Sequence, residues 1–396
     1  MMRWIIPMLL LTACSEQASS SSDQVEVRWS VNDVSYLYPL PEEGEDALLL
    51  KLDSAGDRGP LLPKELYDEH VEAQFGGLWE GFDREKGYAW SRIVALRVDP
   101  CANALVIEPD TECRAEVRLS AQPLAGGTGE NMTTAIDAAI HLLYEVSRPE
   151  LDALLAELRE LATRAEADHE DAPLGPHPVM VREGLSGDFA KGLNRAILDH
   201  VGADNLFKFT VMTRGRNSTN WRFLQLERGD DGYVQAPIVA TGDATVQGVN
   251  ELGLEGVNNS RETTVSPVDP QIGYPAELWI SEDAQALSRE KLKAALGRLA
   301  SYEDPAVHSS KTLDCASCHI SANARSFFEK LTGVTTPAAL VTFDPPPDQN
   351  VKRVDQTKLS GKAMRAFGYF GDQIAISQRT VNDSARVADW LSHGGP

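Results

Sequence analysis

The chain has 396 residues and a formal charge of −22 at pH 7. That length accommodates two or three domains, each with its own core. The acidic balance argues against nucleic acid and anionic lipid headgroups as partners and suits a basic protein partner.

The N-terminus opens with a positive Met1-Met2-Arg3, followed by an apolar run from Trp4 to Leu11 that is too short to span a bilayer. The run ends in Leu11-Thr12-Ala13-Cys14, which resembles the lipobox of bacterial lipoproteins. The resemblance implies that residues 1–13 are a removed signal peptide and that Cys14 carries lipid. Residues 14–24 are serine-rich, as a flexible tether should be. Ser15 stands where many inner-membrane lipoproteins have a retention aspartate, so the outer membrane is favoured. No later stretch is long and apolar enough to cross a membrane. The expectation is a lipid-anchored protein of the bacterial envelope.

Of the five cysteines, lipid takes Cys14 and a single motif takes Cys315 and Cys318. Cys101 and Cys113 remain as a pair in an oxidising compartment, so a disulfide is expected there. Closing a loop of that size is worth roughly 3 kcal/mol in the chain-entropy picture.

Residues 25–166 read as a β-rich module with a helical pair. Val25–Trp29, Arg92–Val98 and Ala115–Leu119 have strand character. Thr134–Val146 reads as a helix with Ile136, Ala139, Ile140 and Leu143 on one face, and His141 within it as a packed histidine. Pro149 opens a second helix along Leu151, Leu154, Leu155, Leu158 and Leu161. Residues 167–180 are acidic and aperiodic, a linker in which His169 and His177 should be solvated.

A second, mixed module is expected over 181–285. It holds an amphipathic helix from Phe189 to His200, a hairpin of Leu206–Thr213 and Trp221–Glu227, and a third strand from Tyr233 to Ala240. A helix over Ser288–Ser301 then opens the last region, 286–396. Walker, dinucleotide, HExxH and nucleophile-elbow motifs are missing from the sequence, which leaves hydrolase and nucleotide readings unsupported.

The chemistry lies in Asp314-Cys315-Ala316-Ser317-Cys318-His319. At this composition a chance CxxCH is expected only about once in a thousand such chains. Two thiols separated by two residues reach the two vinyl groups of one haem and form thioethers, while the adjacent histidine meets the iron. Such attachment takes place outside the bacterial cytoplasm, where the N-terminus independently sends the chain. Over its C-terminal quarter the sequence resembles single-haem c-type cytochromes. It does so by this motif and by a terminal helix capped at Asn382, Asp383 or Ser384, with Val387, Ala388, Trp390 and Leu391 as its apolar face.

The resemblance implies haem c on Cys315 and Cys318, with His319 as the proximal iron ligand. For the sixth ligand His308 is preferred over Met364, because the run from Ser309 to Asp314 is long enough to pass over the haem edge at roughly 3.3 Å per residue. His393 is a third, weaker candidate beside the C-terminus. Two other chemistries use the same cysteines: a thiol-disulfide oxidoreductase, and a zinc site completed by His308 or His319. The expected fold is α+β: a β-rich N-terminal part with its helical pair, a mixed module, and a mostly helical haem domain. The expected role is electron transfer with redox proteins of the envelope, the N-terminal part serving as a docking module.

Overall fold

A computed structural model describes residues 28–73, 84–102, 113–126, 133–164, 171–214, 220–239, 243–250, 285–356 and 363–393. The signal peptide, Cys14, the tether, His169 and residues 25–27 of the first expected strand lie outside the described residues.

Most strands of the N-terminal two-thirds form one antiparallel sheet. β1 (Ser35–Leu37), β2 (Ser91–Asp99), β3 (Ala115–Gly126), β4 (Ala139–Val146), β5 (Leu206–Arg214) and β6 (Asn220–Gly229) lie side by side in chain order. β7 (Gly232–Gln235) and β8 (Val246–Asn250) both pair with β6. The linker expected at 167–180 therefore divides the sequence but not the sheet, since β4 pairs directly with β5 across it. Nor is His177 solvated: it is buried, stacked between Tyr36 and Phe189.

Residues 139–146, expected as helix, are strand β4. The run Ala-Ile-His-Leu-Leu-Tyr-Glu-Val is almost continuously apolar because both faces of this central strand are covered. A run of that kind matches a helical period as well as an extended one.

Register places two unlike rows on opposite faces. Leu96, Leu119, Leu142, Phe209 and Leu226 are cross-strand neighbours in sequence across β2 to β6. They share one hydrophobic cluster with Leu151, Leu154 and Leu158 of α1 (Arg148–Arg164) and with Leu193, Ala196 and Ile197 of α2 (Asp188–His200). On the other face Ala95, Ser120, His141, Thr210 and Gln225 form the corresponding row.

The C-terminal region covers that second face. Met212, Trp221 and Phe223 join Leu292, Leu296 and Leu299 of α3 (Arg289–Ser301) and Ala316, Ala324 and Phe328 of α4 (Cys315–Thr332) in a separate cluster. A hairpin of β9 (Phe367–Phe370) and β10 (Gln373–Ile376) turns on Gly371, whose φ of 65° suits glycine. It is stitched to β3 by Gln122, whose amide accepts from Tyr369 N at 2.8 Å and donates to Tyr369 O at 2.9 Å. Gly368 makes this approach possible, because a Cβ there would collide with the Gln122 amide.

The terminal helix α5 (Gln378–Ser392) starts earlier than expected, with Ser377 as its cap. Asn382, Asp383 and Ser384 lie inside it and bond to other elements: to Glu303 O, to Arg97 and to Ser35 Oγ respectively. Cap-type residues in a helix interior are here tertiary contacts, a use that local sequence does not distinguish from capping.

Candidate functional site

The CxxCH motif occupies the start of α4. Asp314 caps it, its carboxylate accepting from Ser317 N at 3.2 Å. Gln247 of β8 clamps the same turn, donating to the Asp314 carboxyl and accepting from Ala316 N at 3.0 Å. Residues at i, i+3 and i+4 share one helical face, so Cys315, Cys318 and His319 all line a single cleft between α4 and the sheet. Burial pushes the Cys315 thiol up to about 12, aided by the nearby Asp314 carboxylate, and raises Cys318 as well.

His319 is oriented from behind. Its Nδ1 lies 2.6 Å from the carbonyl of Met364, so it carries the proton and leaves Nε2 with a lone pair. Burial lowers its pKa to about 4; the Met364 bond opposes this, while Arg365 and Arg118 assist it. The ring is therefore neutral at physiological pH, the form in which imidazole binds metal. The segment carrying Met364 is held in turn by Asp137, which accepts from Met364 N at 3.2 Å and faces the buried Arg365 at 3.5 Å.

Across the cleft stands the polar face of the sheet. Ser120, His141, Thr210 and Gln225 line it, and the neighbouring positions add Arg97, Arg118, Leu143 and Lys208. The His141 ring centroid is 5.7 Å from that of His319, and Phe223 stands 5.3 Å from His319. His141 Nε2 is shut off from solvent with no hydrogen-bond partner. Burial, the adjacent His319, and Arg365 and Arg118 all lower its pKa, so this imidazole is neutral too.

Four cations border the cleft, each with an acid beside it. Arg97 meets Asp383 at 3.0 Å, Arg379 meets Asp383 at 3.1 Å, Arg118 meets Glu116 at 2.7 Å and Lys208 meets Glu227 at 3.1 Å. Arg379 also binds the carbonyls of Tyr302, Asp304 and His308, fixing the loop that leads into α4.

Cys101 and Cys113 form a disulfide with Cα atoms 4.4 Å apart, tying the end of β2 to the start of β3. The two expected sixth ligands lie elsewhere. His308 is buried edge-on against Tyr302, its Nδ1 3.4 Å from Thr312 Oγ1, and does not line the cleft. Met364 is fully buried in the cluster with Met212, Trp221 and Phe223, and its carbonyl stands behind His319 rather than facing its Nε2. His393 is exposed at the end of α5 beside Asp389. Among the described residues no three His, Cys, Asp or Glu side chains come together as a metal-binding group.

Sequence reasoning misses His141, Gln247 and the bordering cations. Reading 139–146 as a strand places His141 opposite the apolar Leu142, the one available signal. No family model matches the chain, and neither a curated protein nor a solved structure matches it.

Proposed function

We propose that this chain is a c-type cytochrome of the bacterial envelope. Cys315 and Cys318 carry one haem by thioether bonds, His319 is the proximal iron ligand, and the role is electron transfer. The observation that carries the reading is the setting of His319. Its Nδ1 is committed to Met364 O at 2.6 Å, and it shares one cleft with both thiols of a CxxCH motif. Ligating histidines are typically held in this way by a backbone carbonyl at the second ring nitrogen.

The residues present fit a haem. Cys315 and Cys318 would be its covalent attachment, and Arg97, Arg118, Lys208 and Arg379 would meet its carboxylates at the charged part of the cleft. A bound haem supplies an iron that gains and loses one electron. The chain's own part is to orient His319, cover the cofactor with Leu143 and Leu313, and set the charge around it. In this reading the N-terminal sheet is half of the site rather than a separate docking module. Thiol-disulfide exchange fits less well, since reactive CxxC pairs have lowered thiol pKa values and burial raises both of these. A zinc site lacks a third ligand grouped with the cysteines among the described residues.

Expression in a host with cytochrome c maturation tests the reading. The wild type should stain for haem after denaturing electrophoresis, and a variant with both Cys315→Ala and Cys318→Ala should not. A wild type without covalent haem would overturn it. The anchor belongs to the same proposal: Cys14→Ser should release the protein from membranes, and fractionation identical to wild type would refute that part.

A further inference from the structure

We propose that His141, on the sheet, is the second axial ligand of the haem iron, so that the cofactor is clamped between two imidazoles from opposite walls of the cleft. The inference rests on the haem reading above and deepens it.

Three observations carry it. His141 and His319 are, among the described residues, the two imidazoles lining the cleft. They belong to different walls, one on β4 and one on α4, with ring centroids 5.7 Å apart. Two imidazoles bound to one metal through opposed nitrogens, each at about 2 Å, hold their centroids roughly 6 Å apart.

The third observation is a polar atom without a use. His141 Nε2 is buried and has no hydrogen-bond partner, and its cross-strand neighbour Ser120 has an unpartnered Oγ as well. Buried polar atoms in folded proteins are almost always satisfied, so each exception calls for an explanation. A metal bond to His141 provides one.

The other described histidines are engaged elsewhere. His177 stacks between Tyr36 and Phe189, and His200 lies 3.0 Å from Glu157. His70 packs near Phe209 on the apolar face, and His308 and His393 do not line the cleft. A bis-imidazole iron has no open coordination position, which makes the protein a carrier of electrons rather than a binder of small ligands, with a potential below that of a His/Met site.

The test uses the full-length, haem-loaded protein and spectroscopy. The ferric wild type should be low-spin, without the methionine-to-iron charge-transfer band. His141→Ala should lose the low-spin signal, become high-spin and bind carbon monoxide in the ferrous state, and added imidazole should restore the low-spin form. His141→Met, retaining a ligand of another type, should introduce the methionine band. His308→Ala should leave the wild-type spectrum unchanged. A haem-loaded His141→Ala that stays low-spin, or a wild type that is already high-spin, overturns the assignment while leaving the haem reading intact. Absence of covalent haem from the wild type would defeat the haem reading itself, and this assignment with it.

Discussion

The two faces of the central sheet are built by the same strands and differ by one step along each. On one face Leu96, Leu119, Leu142, Phe209 and Leu226 meet α1 and α2 in a continuous apolar layer. On the other, Ala95, Ser120, His141, Thr210 and Gln225 face a cleft closed by the CxxCH helix. The first face has the composition of a core, and burial of each large side chain there contributes roughly 1.5–3 kcal/mol. The second carries polar and ionisable groups that a core would exclude, so their presence needs another reason. The contrast separates what folds the chain from what it is proposed to do.

Breaking the polar side at its ion pairs should have the largest effect on stability. Burial works against the charge of Asp383, but Arg379, Arg97 and Arg386 outweigh it and hold the carboxyl well below the ordinary range. Asp383→Asn leaves the largely buried Arg97 and Arg379 without their shared partner, at a cost of about 3 kcal/mol or more. A depressed acid pKa contributes stability that is present above the unfolded value, near 4, and lost as pH falls through the lower folded value. The gap between wild type and Asp383→Asn in denaturant unfolding should therefore be full at pH 7 and narrow well below pH 4. A gap independent of pH would contradict this account of the charge cluster.

The next pair of substitutions compares the faces directly, at adjacent positions of β4. Leu142→Ala removes a fully buried side chain from the apolar layer and should cost about 2–5 kcal/mol. His141→Ala, measured in the Cys315→Ala/Cys318→Ala background without covalent haem, gives up no hydrogen bond at Nε2 and should cost less than about 1 kcal/mol. Equal losses at the two positions would mean that His141 is an ordinary part of the core.

How much of this is legible in the sequence depends on how local each feature is. The hairpin of β5 and β6, helices α1, α2 and α3, and the pairing of Cys101 with Cys113 follow from alternation, helical period and cysteine parity, all read within short windows. The CxxCH motif is equally local, and α4 begins at Cys315, directly after the Asp314 cap. Strand β4 reads as a helix because a strand covered on both faces loses its alternation. With it go the position of His141, the continuity of the sheet beneath an apparent linker, and the pairing of β4 with β5. Gln247 and Arg379 reach the site from segments distant in sequence, Gln247 at a separation of 67 residues from Asp314. Neither residue type carries a spacing signal that would announce such contacts. His308 and Met364 look suitable by residue type and chain reach, but reach sets only a limit. Packing against Tyr302 in one case and within the Met212 cluster in the other decides their direction.

The central claim is that the cleft between the sheet and α4 holds a haem bonded to Cys315 and Cys318. Mass analysis of the full chain, purified from a host with cytochrome c maturation and then digested, addresses it most directly. The account predicts that the peptide spanning 315–319 carries the added mass of one haem, retained after acid and organic denaturation. The same peptide recovered with two free thiols, or with a Cys315–Cys318 disulfide, would contradict it.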